Sequence, residues 1–295
     1  MRRWAPPNLN PNASPNPNPN PNPNPGPSPN YAVRPLREED LEALSALAAE
    51  AFGRRELITA SLLRDPSRIA RLQRQVRALG RDCISEGFSH VAVRPESGGL
   101  VAFSLASALE HAPPRASCCF VGCVARGRAA ASRGRMSLLH RSLPELEIAD
   151  KLYAELVNRW TAWQDAFFQE GECVQLLLSA APAAEASAAA AAVAKCEAAA
   201  LEAARAKGFR VAYTMCTGAV TKYIAGAELG MRRRVALRTL PSLRRIGLSA
   251  ADKMRIADRG LLDDDHEVVL YDIALDGARR LDGAAPDAAV ALRRS

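Results

Sequence analysis

The sequence predicts a mixed α/β domain behind an amino-terminal segment that cannot fold. Three observations carry this reading. Segments whose apolar residues recur every three to four positions alternate with short β-rich runs, in the order βα(α)ββ–α–βαβαββ. Turn formers such as Pro95-Glu-Ser-Gly-Gly99 separate the runs. Residues 6–30 are an alternation of proline and asparagine with almost nothing apolar to bury, so 1–30 is expected to be a disordered, polyproline-leaning tail. About 265 of the 295 residues remain for structure, enough for one large domain.

The elements follow in order. Tyr31–Leu36 alternates as a strand. Leu41, Leu44, Leu47, Ala48, Ala51 and Phe52 then share one helical face. Glu38, Glu39 and Asp40 precede them, where the helix dipole favours acids, and Gly53 is expected to end the helix. A second helix spans 65–86, with Asp65 as N-cap, Pro66 at its first position, and Ile69, Leu72, Val76 and Leu79 on one side. His90–Arg94 and Leu100–Ala108 read as strands joined by the two-glycine turn.

Residues 111–142 lack any period and are expected to be a disordered insertion. Leu143–Phe168 is a long helix through Leu146, Ala149, Leu152, Leu156, Trp160, Trp163 and Phe167. Val174–Ser179 is a buried strand. Residues 184–207 form an alanine-rich helix closed by Gly208. Arg210–Cys216 is a strand, Val220–Leu229 a short helix ending at Gly230, Met231–Leu240 a strand and His266–Leu275 the last one. The domain thus runs over 31–280, with 281–295 a flexible tail.

Composition excludes several classes. No run of strongly apolar residues is long enough to span a bilayer, and no apolar stretch follows the basic start as a secretory signal requires. Seven scattered cysteines suit reduced thiols and a cytoplasmic location more than a disulfide framework. The net charge of +7 comes mainly from arginine. Its densest runs, 115–135 and 232–245, hardly interleave with aromatics, so neither nucleic acid nor membrane is an expected partner. Cys118, Cys119 and Cys123 lack the spacing of a metal site, and no metal is expected.

Several strings together carry a resemblance. YAVRPLREEDLEALSALAAEAF, SHVAVRPESGGLVAFSLAS, LLLSAAP with AAALEAARAKGFRVAY, and TKYIAGAELGM are similar, in order and spacing, to the strands and helices of the GNAT superfamily of N-acetyltransferases. FGRRELITASL and Cys216-Thr-Gly-Ala-Val-Thr221 resemble stretches of its arylalkylamine branch. The resemblance implies a mixed, mostly antiparallel central sheet with helices on both faces. It implies that the fourth and fifth strands splay into a wedge, where acetyl-CoA lies as a co-substrate against the fourth strand. The implied function is acetylation of a small primary amine, an arylalkylamine in the branch's case. The alternative is a catalytically degenerate domain of the same fold that binds a partner or a CoA metabolite.

Site residues are carried over from the resemblance position by position. Acetyl-CoA is expected along Leu177, Leu178 and Ser179. Its pyrophosphate is expected on the helix start at Ala188, Ala190 and Ala191, where free amides favour anions. That start has no glycine, unlike the family's phosphate loop, and Glu185 stands nearby. Glu56 matches the branch's general base, and Thr217 and Thr221 its two hydroxyls near the amine and the leaving sulfur. The plainer readings are that Glu56 is a surface acid in a charged turn and that Thr217 or Thr221 caps the next helix.

Overall fold

A computed structural model describes residues 31–63, 65–108, 143, 146–162, 172–182, 186–246 and 266–276. The tail, the insertion at 111–142, Glu185, Trp163 and the carboxy-terminal segment lie outside the described residues. The structure joins seven strands into one sheet in the order β1-β2-β3-β4-β5-β7-β6. They are β1 (Ala32–Pro35), β2 (His90–Val93), β3 (Leu100–Ala108), β4 (Cys173–Ala180), β5 (Val211–Cys216), β6 (Arg232–Arg238) and β7 (Glu267–Ala274). Only β4 and β5 pair in parallel; every other pair is antiparallel. The mostly antiparallel sheet expected from the resemblance is therefore present.

One face of the sheet carries α1 (Leu41–Glu50), α2 (Leu57–Leu62), α3 (Pro66–Glu86) and α4 (Glu147–Ala162). Its core is built of large side chains. Leu44, Val76, Phe103, Leu105, Leu152, Trp160 and Tyr213 pack in one cluster. The other face carries α5 (Ala186–Ala206) and α6 (Ala219–Tyr223). There the contact is small against small. Ala192 and Cys196 of α5 meet Ala92 and Ala102, and Ala200 and Ala204 meet Ala106 and Ala212. The alanine richness is thus a packing feature, because short side chains let the helix lie close to the strands. Gly208, at φ +83°, follows the end of α5 in the left-handed conformation that glycine adopts freely.

α3 begins as its sequence requires: Asp65 accepts the Ser67 amide and Pro66 follows. Gly53 does not end the first helix. The chain runs on through a π-helical turn, Ala51–Arg55, and a Cβ on Gly53 would come within 3.2 Å of Ile69. Glycine serves close packing of α3 there. α6 likewise passes into a π-helical turn, Ile224–Glu228, at the point where the sequence reads as one helix. β6 stops at Arg238 because its partner begins at Glu267, and the chain turns directly into α7 (Thr239–Ile246), which the sequence reading did not contain.

Candidate active site

The site starts from the strand pair β4–β5. Their parallel register runs from Cys173↔Val211 to Leu176↔Thr214 and stops. At that last pair Thr214 Oγ1 donates to the Leu176 carbonyl at 3.4 Å. Beyond it β4 follows β3, through Leu105↔Leu178, Ser104↔Ser179 and Phe103↔Ala180. β5 instead follows β7, through Met215↔Leu270 and Cys216↔Val269. The strands diverge into a wedge. An irregularity in the β3–β4 register leaves Leu177 as the extra residue of a bulge. From Leu177 to Ala180, the edge of β4 that faces β5 has no strand partner among the described residues. Such an edge is a template for an extended ligand. Leu177, Leu178 and Ser179 all lie on it.

A pocket opens beside the wedge on the α1–α4 face, enclosing about 660 Å³ counted out to its open mouth. β4 contributes Gln175 to Leu178, β5 contributes Met215, and Thr217 lines the pocket from just past β5. Phe52, Leu72, Val76, Leu146 and Ala149 form apolar walls, and Glu56, Thr59 and Tyr153 add polar groups.

Glu56 is the residue at the break between the π-helical turn and α2. Its backbone is extended, at φ −71° and ψ 121°, and its carboxylate caps α2, accepting the Ile58 amide at 3.2 Å and the Thr59 amide at 2.7 Å. It is half-buried in the pocket wall and is not a loose surface acid. Two lone-pair sites are used, and a carboxylate has about four. Arg55 turns away, to Glu50 at 2.9 Å and to the Ala181 carbonyl at 2.7 Å, which ties the π-helical turn to the residue just past β4. Tyr153 shares the pocket. Burial, then the charges of Glu56 and Asp150, push its phenol well above the usual value. It stays a neutral hydroxyl.

The two threonines separate. Thr217 follows β5, lines the pocket, and has its carbonyl bonded to His266 Nε2 at 3.0 Å. Since a carbonyl only accepts, Nε2 carries the proton. Thr239 Oγ1 lies 2.8 Å from Nδ1 of the same ring. Thr221 is outside the pocket lining. Its hydroxyl donates to the Gly218 carbonyl at 3.0 Å, one turn back in its own helix. Neither threonine is a cap, since Gly218 is the N-cap of α6 with no side-chain bond. Tyr223 is exposed and interacts with Glu228, which raises its phenol.

α5 is described from Ala186, and the amides of Ala186–Ala188 in its first turn have no carbonyl four residues back within the helix. Ala188 falls within that first turn. Ala190 and Ala191 lie beyond it, where helical amides are already bonded to carbonyls four residues back. Among the described residues no group of three or more His, Cys, Asp or Glu could hold a metal ion.

No family model and no curated protein matches the sequence. Solved structures do match. The C-terminal condensation domain of Ebony, in complex with β-alanyl-dopamine, is similar at a TM-score of 0.57 and 10% identity, over 83% of this chain and 98% of that one. A putative arylalkylamine N-acetyltransferase 7 from the yellow fever mosquito Aedes aegypti matches at 0.52 and 14% identity, over 83% and 88%. Arylalkylamine N-acetyltransferase 2 from Aedes aegypti matches at 0.51 and 13%, over 83% and 99%. The chain has the GNAT fold.

Within this GNAT fold two polar residues escaped the sequence reading. Tyr153 sits seven positions after Leu146 and four after Ala149, so the helical period already placed it on their face. Glu197 lies on the α5 stripe of Val193, Ala200, Leu201 and Ala204, all buried, and is itself only 4% exposed. A carboxylate in phase with a buried stripe was the available clue. Among the described residues no helix of this GNAT fold is long and apolar enough to cross a membrane.

Proposed function

We propose that the protein is an N-acetyltransferase that moves an acetyl group from acetyl-CoA to a small primary amine. The observation that carries this is the wedge beyond Leu176↔Thr214, open beside a pocket that holds one carboxylate among apolar walls. The unpaired edge of β4, Leu177 to Ser179, takes the pantetheine arm in the manner of an added strand. The first turn of α5, including the Ala188 amide, offers free N–H groups to the pyrophosphate. Ala190 packs against the sheet beside that turn, while Ala191 is exposed. Acetyl-CoA supplies an activated acetyl group; the chain orients it and manages protons.

Glu56 accepts the ammonium proton of the amine, directly or through one water, so that the nitrogen lone pair is free to attack the thioester carbon. The amide caps hold the carboxylate in place. Phe52, Leu72, Val76 and Tyr153 surround the rest of the amine, which favours an aryl- or alkylamine with one positive charge, because Glu56 is the one acid among the described residues of the pocket lining. Thr217 contacts the amine from the β5 side. Thr221 supports the β5–α6 turn through Gly218 and reaches the leaving sulfur only if that bond is exchanged. Calorimetric titration with acetyl-CoA, followed by turnover of a panel of arylalkyl- and alkylamines, tests the reading. Saturable binding with turnover supports it; no binding at millimolar acetyl-CoA removes it.

A second reading is a GNAT domain that binds a CoA metabolite without turnover. Its supporting observation is Glu56, whose two oxygens already serve α2 as a cap. Binding of acetyl-CoA with no acetylation of any amine would select it. The cytoplasm is the location we propose.

A further inference from the structure

Glu197 is a buried carboxyl that the proposed chemistry does not yet use, and it sits at the wedge. It projects from α5, on the sheet face opposite the Glu56 pocket. Ser179 Oγ donates to its Oε1 at 2.6 Å. Ser179 belongs to the β4 lip, three residues past the last β4–β5 pair. Cys216 ends the β5 lip. Its thiol is pushed up to about 12, by burial first and then by the charge of Glu197. The carboxyl therefore meets the β4 lip directly, and its charge is felt by the thiol that ends the β5 lip. Beside Ser179, on the same face, stands its cross-strand partner Ser104, whose fully buried hydroxyl has no hydrogen-bond partner among the described residues. A carboxyl and two hydroxyls thus line the α5 side of the wedge.

Simple packing does not call for this arrangement. The rest of the α5 stripe is apolar, and a buried acid costs stability unless it is compensated. Burial pushes the Glu197 carboxyl up to about 7, against the opposing pull of the Ser179 bond, and no cation is among the influences on it. The nearby titratable groups are the Cys196 thiol on its own helix and Cys216 on β5, with Lys222 of α6 acting on Cys216. Of the other strands packed on α5, β2 brings His90, bonded through Nδ1 to the Phe88 carbonyl; Arg34 of β1 lies on the opposite face, bonded to Asp40, and β3 brings none. The π-helical turn brings Glu228, which engages Tyr223, and Lys195 lies over the Tyr31 ring.

We propose that Glu197 stores a proton at the wedge and delivers it, through the Ser179 hydroxyl, to the thiolate that leaves between β4 and β5. This rests on the acetyl-transfer reading above. As the amine lone pair forms the C–N bond, the C–S pair collapses onto sulfur. When Glu197 is protonated the 2.6 Å bond reverses, with the Glu197 O–H donating to Ser179 Oγ. The freed Ser179 O–H then gives its proton to that sulfur while the Glu197 proton moves onto Ser179 Oγ. Glu197 is left as a carboxylate and regains a proton from water after the thiol departs. The amine proton leaves separately, on the opposite face, through Glu56. Two carboxyls in contrasting surroundings, one capped by amides at an open pocket and one buried, then divide the base and acid roles. Glu197 is a positioning and proton-storing residue, since it acts through Ser179.

The test measures kcat against pH for the wild-type chain, Glu197→Gln, Ser179→Ala and the double variant, with acetyl-CoA binding and melting temperature recorded for each. The wild type is expected to lose kcat as pH rises past about 7. Glu197→Gln and Ser179→Ala should each lower kcat by roughly 10²-fold, the lower end for a lost proton-transfer group, and abolish that alkaline limb. The double variant should be no slower than either single one, because both break one relay. Acetyl-CoA affinity should hold. If Glu197→Gln fails to fold, Ser179→Ala alone carries the test, as it keeps the carboxyl and cuts the relay. Wild-type kcat and an unchanged alkaline limb in the folded variants would overturn the proposal while leaving acetyl transfer intact. A wild-type chain that binds no acetyl-CoA overturns the acetyl-transfer reading and this step with it.

Discussion

The indole Nε1–H of Trp160 donates to Asp272 Oδ2 at 2.7 Å, across 112 positions of sequence. Arg234 Nε donates to Oδ1 of the same carboxylate at 2.7 Å. Tyr213 packs on the indole, ring centroids 4.9 Å apart. α4, β5, β6 and β7 are joined at this point, and α4 in turn carries Tyr153 into the pocket.

Arg234→Met should therefore destabilise the fold strongly. Asp272 is fully buried, and removing one partner of a buried ion pair typically costs about 3–5 kcal/mol. Urea unfolding measures it. A loss under about 1 kcal/mol would show that the carboxylate does not depend on Arg234.

Glu56→Asn separates the cap from the base. Asparagine caps helices well, so the melting temperature should hold. The amide cannot take a proton, so kcat/KM should fall by about 10²–10⁴-fold. The deficit should shrink as pH approaches the amine's own pKa of about 10, where free amine arrives without help. Unchanged kcat/KM in Glu56→Asn would leave Glu56 as a cap only.

Thr217→Val and Thr221→Val should differ in kind. Thr217 lines the pocket, so its loss should raise the amine's KM with little effect on stability. Thr221 is engaged with Gly218, so its loss should cost about 1 kcal/mol of stability, the usual worth of such a bond, and leave KM alone. Equal kinetic effects in both variants would contradict the separation seen in the structure.

Glu197 makes stability depend on pH with an unusual sign. Its carboxyl titrates near 4.5 ordinarily and at about 7 in the fold. The folded state therefore binds the proton more tightly. That stabilisation is complete below the ordinary value and is lost as pH rises through about 7. Its size is on the order of 3 kcal/mol, from about 1.4 kcal/mol per unit. Glu197→Gln removes the titration. Its melting temperature should gain on the wild type between pH about 5 and about 8. A constant difference across that range would show that Glu197 does not titrate there.

The elements legible in the sequence are those defined locally. Asp65 and Pro66 start α3, Gly208 closes α5, and the two-glycine turn at 95–99 joins β2 to β3. The expectation of a wedge after β4 also has its counterpart, in the end of pairing at Leu176↔Thr214. Gly53 was legible as a glycine but not as a contact, because Ile69 meets it from a different helix. α7 was missed because β6 ends only where β7 runs out, a limit set by a partner 29 residues away from Arg238 in sequence.

The local pattern decides which residues can be helix, strand or cap, because period, capping side chains and turn residues act over a few positions. The amino-acid order alone thus settles a mixed α/β chain with an alanine helix behind the fourth strand. It does not settle which polar residues face one another. Glu56 and Thr217 share a pocket, Thr221 is turned back onto Gly218, and Glu197 enters the wedge beneath Ser179, only because β4 and β5 part company and two different faces of the sheet are then covered by different helices. Those relations rest on strand register and helix packing between segments far apart in sequence, which no window of neighbouring residues contains.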